Sequence, residues 1–226
     1  MVKHRLKINL HKMEKLGNIT LYNADCMNVM RGLPDKYFDL ALCDPPYGIN
    51  INFNMGRLKG EKPKHKKKDW DNAIPREEYF EELKRVSKNQ IIWGGNYFTE
   101  FLLPTKSWIF WDKEVPEGLS FADGELAWTS FDKTLVKARI PYSGFTGKDK
   151  DMRIHPTQKP IQLYKWILNK YAKQGDKILD THLGSGSSAI AAHDGGFEFT
   201  GIELDEEYYN AAKERIVLHQ RQLNLF

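Results

Sequence analysis

The chain of 226 residues is 41% hydrophobic and 12% aromatic, enough to bury a sizeable core, which excludes a disordered polypeptide. No apolar run approaches the roughly 18 residues of a membrane span, and no signal-like apolar stretch follows the basic "MVKHRLKINLHKMEKLGN", so a cytoplasmic protein is expected. A net charge of +4 suits a polyanionic partner without demanding one, and two cysteines lacking CxxC or Cys/His metal spacing argue against a disulfide framework and a metal site.

In chain order, "NITLYNAD" alternates Ile19 and Leu21 with polar neighbours and predicts a strand. "CMNVMRGL" reads as a short helix. "FDLALCD" is almost continuously apolar, as a central strand covered on both faces would be. On this reading Cys43 is a small buried hydrophobe rather than a nucleophile. The strand runs into Asp44-Pro45-Pro46-Tyr47. Prolines cannot extend a sheet, and an acid beside them is costly to bury without hydrogen-bond partners. A strand followed by a turn is the plain account of these four residues; a functional one needs support from elsewhere in the chain.

Further on, "KGEKPKHKKK", Lys59 to Lys68, holds six lysines in ten residues. A charge run is ordinarily a solvated loop. Its place shortly after the tetrapeptide makes Lys62, Lys64, Lys66, Lys67 and Lys68 candidates for phosphate contact.

"PREEYFEELKRVSKN" predicts a helix with Pro75 in its first position and an apolar stripe of Tyr79, Phe80, Leu83 and Val86. "QIIWGG", "SWIFWD" and "ELAWTSF" read as strands whose aromatic residues belong to the core. "KPIQLYKWILNKYAK" is a helix with Pro160 early in it, "DKILD" a strand, and "GSGSSAIAAHDGG" a glycine turn opening a helix. "FEFTGIEL" is a strand, and "DEEYYNAAKERIVLH" a helix capped by Asp205. This β-α-β-α succession predicts an α/β protein with a doubly wound parallel sheet. No linker divides the chain, so one domain over 1–226 is expected.

Gly184 and Gly186 fall between a strand and a helix, where a ligand can approach bare backbone and free N–H groups. A tight turn would place them equally well. Glu203 ends the next strand 17 residues after Gly186, and an acid there can accept hydrogen bonds from a ribose diol. No P-loop pattern is present, and a dinucleotide fingerprint would want a third glycine near Ala189. S-adenosylmethionine, with a ribose and no pyrophosphate, fits better than a nicotinamide cofactor.

The tetrapeptide Asp44–Tyr47, "HPTQKP" (His155 to Pro160), "LDTHLGSGS" and "GIELD", in that order, resemble the β-class DNA amino-methyltransferases, adenine-N6 and cytosine-N4 enzymes. The resemblance spans Asp25 to about Arg215. It implies a Rossmann-like S-adenosylmethionine-dependent methyltransferase fold, a mostly parallel central sheet with helices on both faces.

The same resemblance implies that Asp44, Pro45, Pro46 and Tyr47 are catalytic and that Asp44 also borders the cofactor. Asp180 and the loop residues Gly184, Ser185, Gly186 and Ser187 match the cofactor-binding loop, and Glu203 matches the ribose acid. Asp25 and Cys26 sit where the family contacts adenine, and Lys159 matches a lysine near the methionine carboxylate. The family usually has Asp-Pro-Phe before the glycines, whereas this chain has Asp180-Thr181-His182; His182 is either a contact to the methionine moiety or a tolerated replacement.

Asp44, rather than serine, points within this family to adenine, with Asp44 and a proline carbonyl accepting from the amine and Tyr47 offering a stacking face to the extruded base. DNA is the expected partner in a restriction-modification setting, in a bacterial, archaeal or phage-encoded context. RNA-adenine and cytosine-N4 methylation, and a cofactor-dead nucleic-acid-binding subunit, are the alternatives. Between Tyr47 and His155 lie 107 residues, which must also supply strands and a helix. Recognition is therefore expected from small insertions near 49–71 and 113–153, with short or relaxed specificity or the help of a homodimer partner.

Overall fold

Short runs of branched and aromatic residues, bounded by Gly, Asp or Pro, set the strands of this protein. The structure, a computed structural model, describes residues 12–50, 71–115, 122–141 and 154–223. Its strands are β1 (Met13–Leu16), β2 (Ile19–Asn23), β3 (Phe38–Cys43), β4 (Ser87–Trp93), β5 (Trp108–Asp112), β6 (Gly124–Thr129), β7 (Val136–Arg139), β8 (Lys177–Asp180) and β9 (Glu198–Glu203). The helices are α1 (Cys26–Met30), α2 (Glu77–Val86), α3 (Ile161–Tyr171), α4 (Ser187–Asp194) and α5 (Glu206–Leu223).

The strands form one nine-stranded sheet in the order β1-β2-β9-β8-β3-β4-β6-β5-β7. The five strands from β2 to β4 in that order are mutually parallel. Strand β6 runs antiparallel to β4, and β5 antiparallel to β6. The carboxyl ends of β2, β9, β8, β3 and β4 therefore share one edge, and the start of β6 and the end of β5 return to it. Ligands of open α/β sheets bind at that edge.

Side chains alternate between two helical layers, as a strand's period of two requires. Leu40, Leu42, Ile91, Trp93 and Ile178 pack with residues of α3, α4 and α5. Ala41, Cys43, Ile92 and Leu179 pack with residues of α1 and α2. The expected mostly parallel sheet with helices on both faces is the observed architecture.

Three local expectations need correction. Helix α2 starts at Glu77 behind an extended Arg76, so Pro75 precedes the helix instead of opening it. "SKN", expected as the end of that helix, begins β4: Ser87 is extended at φ −125°, its hydroxyl donates to the Leu83 carbonyl at 2.5 Å, and it pairs with Phe38 of β3. The four-residue strands β1 and β7, one at each border of the sheet, were not foreseen, because four residues carry too little alternation to read. Within 113–153, β6 and β7 belong to the sheet itself.

Candidate active site

Buried β3 delivers the tetrapeptide to the carboxyl edge of the sheet. Asp44 keeps 16% of its side chain exposed, and both of its oxygens are engaged. Tyr47 Oη donates to Oδ1 at 2.6 Å, and Lys159 Nζ donates to Oδ2 at 2.5 Å. Burial pushes the Asp44 carboxyl up; the Lys159 charge pulls it back, and Glu125 pushes it up again.

Lys159, just ahead of α3, is only 3% exposed and also meets Glu125 Oε2 at 3.0 Å. Its ammonium lies over the rings of Trp93 and Tyr47, 5.2 and 5.7 Å from their centroids. Burial acts to lower its pKa, and the two acids outweigh that and raise it. The lysine expected opposite a methionine carboxylate is thus paired with two acids of the chain itself. Glu125, near the start of β6, holds Lys113 with its other oxygen at 2.7 Å. Burial would raise its carboxyl, but Lys159 and then Lys113 hold it down at about 2.

Sequence reasoning gave Asp71, Lys113 and Glu125 only a place within the expected recognition insertions, and gave Tyr97 no role. Asp71, 4% exposed, accepts from the backbone N–H of Tyr47 at 2.8 Å and of Gly48 at 3.0 Å. It grips the chain immediately after the two prolines. Tyr97, 44% exposed, stacks on Tyr47 with centroids 5.0 Å apart and planes 13° apart. The turn that carries it starts at Gly94, φ +67°, where an added Cβ would lie 2.2 Å from Tyr47 Cε1. Part of the ring surface expected to receive a base is already covered by Gly94 and Tyr97.

Beside β3, β8 ends in Asp180, 1% exposed, which accepts from His182 N at 3.0 Å and from Ser188 Oγ at 2.6 Å. It ties the end of the strand to the first turn of α4. Burial pushes its carboxyl up to about 7, against those two donors. Gly184 and Gly186 take φ +52° and +74°, a region open to glycine at little cost. The ring of His155, from "HPTQKP", stands 3.7 Å from where a Gly184 Cβ would be. Ser185 and Ser187 are buried, and Arg215 donates to the Ser185 carbonyl and the Ser187 hydroxyl at 2.8 and 2.9 Å. These two serines hold the loop's shape.

Glu203, ending β9, accepts from Gly184 N and Asp205 N, both at 2.9 Å, on its two carboxylate oxygens. The Leu204 N–H also acts on this carboxylate, and of its roughly four lone-pair sites at least one remains for a further donor. Asp25, ending the β2 connection, uses its carboxylate to cap α1 through Met27 N at 2.8 Å. Cys26 and Cys43 are free thiols pushed up to about 12 by burial, so neither is a thiolate. His182 is pushed down to about 4 by burial; it bonds Thr181 Oγ1 and meets the Tyr79 ring edge-on.

A cavity of about 410 Å³ opens here, lined by Cys26, Met27, Pro46, Ile74, Tyr79 and His182 among others. The catalytic and cofactor candidates, apart from the lysine run, thus lie along a single edge. Lys62, Lys64, Lys66, Lys67 and Lys68 fall outside the described residues. Among the described residues no three His, Cys, Asp or Glu side chains are grouped to hold a metal ion, and no helix is long and apolar enough to cross a membrane.

A family model for DNA methylases matches residues 92–214, more than half of the chain. The chain belongs to this N6/N4 DNA methylase family. This methylase is 28% identical over 214 residues to the putative methylase YubD of Escherichia coli (strain K12), covering 88% of this chain and 91% of that one. It resembles the crystal structure of the M1.HpyAVI–SAM complex with a TM-score of 0.58 and 21% identity, over 88% of this chain and 98% of that one. It resembles the cytosine-N4-specific PvuII DNA methyltransferase with a TM-score of 0.60 and 14% identity, over 93% and 94%. At such identities the two structures speak to the fold, and it is the methyltransferase fold expected from the sequence.

Proposed function

We propose that this methylase transfers a methyl group from S-adenosylmethionine to the N6 amino group of an adenine extruded from DNA. The observation that carries the reading is Asp44: a carboxylate at the carboxyl end of β3, held by Tyr47 and Lys159 next to the glycine loop.

The residues present suit the cofactor. The glycine loop leaves room that a Cβ at Gly184 would narrow, Glu203 retains acceptor capacity for a diol, and the cavity offers the uncharged Cys26 and Met27 alongside Arg31, Arg76 and Glu78. When bound, S-adenosylmethionine supplies an electrophilic sulfonium methyl whose carbon–sulfur electron pair leaves with sulfur. Asp44 accepts a hydrogen bond from one N–H of the target amine, and the Pro45 carbonyl accepts from the other. Two acceptors draw the nitrogen toward tetrahedral geometry and free its lone pair from the ring. As nitrogen gains a bond to carbon it sheds one proton, which the Asp44 carboxylate takes. Preorganised acceptors of this kind act through position and fixed charge.

The test is nucleoside analysis after incubating the protein and S-adenosylmethionine with unmethylated genomic DNA, and with RNA in parallel. N6-methyladenine in DNA is the expected product. N4-methylcytosine, or methylation confined to RNA, overturns the reading. Asp44→Ala is expected to lower the rate about a hundred- to a thousandfold while S-adenosylmethionine still raises the melting temperature.

A further inference from the structure

We propose that Glu125 is a positioning residue for Asp44: by taking one N–H of Lys159 it keeps that ammonium shared between two carboxylates, leaving Asp44 the stronger acceptor for the target amine. The proposal rests on the reading of Asp44 as the group that receives the amine's proton.

Geometry supplies the argument. An ammonium has three donors. In Lys159 one goes to Asp44 Oδ2 at 2.5 Å, one to Glu125 Oε2 at 3.0 Å, and the third reaches toward Tyr47 Oη at 3.3 Å. Glu125 cannot drift from this post, because Lys113 holds its far oxygen at 2.7 Å. Two acids and two lysines thus alternate as Asp44, Lys159, Glu125, Lys113, with no net charge. A buried lysine with Asp44 as its sole partner would place its full charge on that carboxylate and blunt it as an acceptor. A second carboxylate divides the charge. The chain needs an ammonium here, since burial without one would leave Asp44 protonated and unable to accept.

Among the described residues, few other ionisable groups face this cluster. Tyr47 donates to Asp44, Tyr164 of α3 approaches both acids, and Asp180 at the end of β8 senses Asp44. Burial holds both tyrosines far above their usual range, so they stay neutral at working pH.

The experiment is the pH profile of kcat on unmethylated genomic DNA for the wild type, Glu125→Gln, Lys113→Met and Asp44→Asn. Glu125→Gln removes the charge that raises Asp44 and is expected to move the acid limb about one unit lower and the plateau about tenfold down. Lys113→Met leaves Glu125 drawn wholly onto Lys159 and is expected to move the limb upward. A purely structural role for Glu125 would lower the rate uniformly with the limb unmoved, and that result overturns the proposal, as does an upward shift in Glu125→Gln. Should Glu125→Gln fail to fold, the Lys113→Met shift alone decides, an unmoved or lowered limb refuting the proposal. Wild-type activity in Asp44→Asn would instead refute the reading of Asp44.

Discussion

Asp71 shows what one residue does for the turn proposed to be catalytic. The prolines fix two φ angles and the Tyr47 hydroxyl is tied to Asp44, but no group of the tetrapeptide holds the backbone N–H of its far end. Asp71 does so by collecting two consecutive N–H groups in a buried setting. Asp71→Ala should lower kcat about a hundredfold, the scale of a misplacement near one ångström, with the melting-temperature rise on S-adenosylmethionine unaltered. Asp71→Asn, which keeps one acceptor oxygen, should fall between. Equal activity in all three proteins would remove Asp71 from the machinery. Its role was illegible because an isolated acid in "WDNAIP" carries no periodicity; its partners lie 23 and 24 residues earlier in the chain.

At the scale of elements, the turn after β4 is shaped by the ring it touches. Gly94 combines φ +67° with a contact to Tyr47 that leaves no room for a methyl group. Gly94→Ala should cost about 1–3 kcal/mol in urea denaturation and lower kcat by shifting the Tyr47 ring; unchanged stability would show that the turn yields freely. The motif-bearing elements were readable because their signals are local. The apolar run of β3, the glycines ahead of α4 and the acid closing β9 each lie within a few residues of what they define. Strand β6 differs. "GELAWT" reads as a strand with one charged position, and only the antiparallel pairing with β4 brings Glu125 to the edge that carries Asp44. Lys159 was assigned by its place in "HPTQKP", and its counter-ions come from β3 and β6, which no local pattern could name.

Across the whole molecule, two buried neighbours set opposing pH dependences. Asp180, at about 7 in the fold against an ordinary 3.8, contributes stability that is full below about pH 4 and lost as pH rises toward 7. His182, at about 4 against 6.5, contributes stability that is full above 6.5 and lost as pH falls toward 4. Between pH 4 and 6.5 the two slopes offset each other. His182→Phe should therefore make the urea midpoint fall as pH rises through that window, and Asp180→Asn should make it rise. Parallel profiles in both variants would show that neither group titrates differently on folding.

By itself the sequence determined most of the succession of strands and helices, all but the short border strands and the start of β4, together with the order of the motifs. These follow from hydrophobic period, from the backbone limits of proline and glycine, and from charge at strand ends, all properties of neighbouring residues. Only the tertiary structure decided which charges meet. Parallel pairing of β3 and β8 sets the tetrapeptide beside the glycine loop, and the return of β6 and β5 adds Glu125 and Lys113. A carboxylate's strength as an acceptor depends on the ions within a few ångströms of it, and those ions come from segments far apart in the chain.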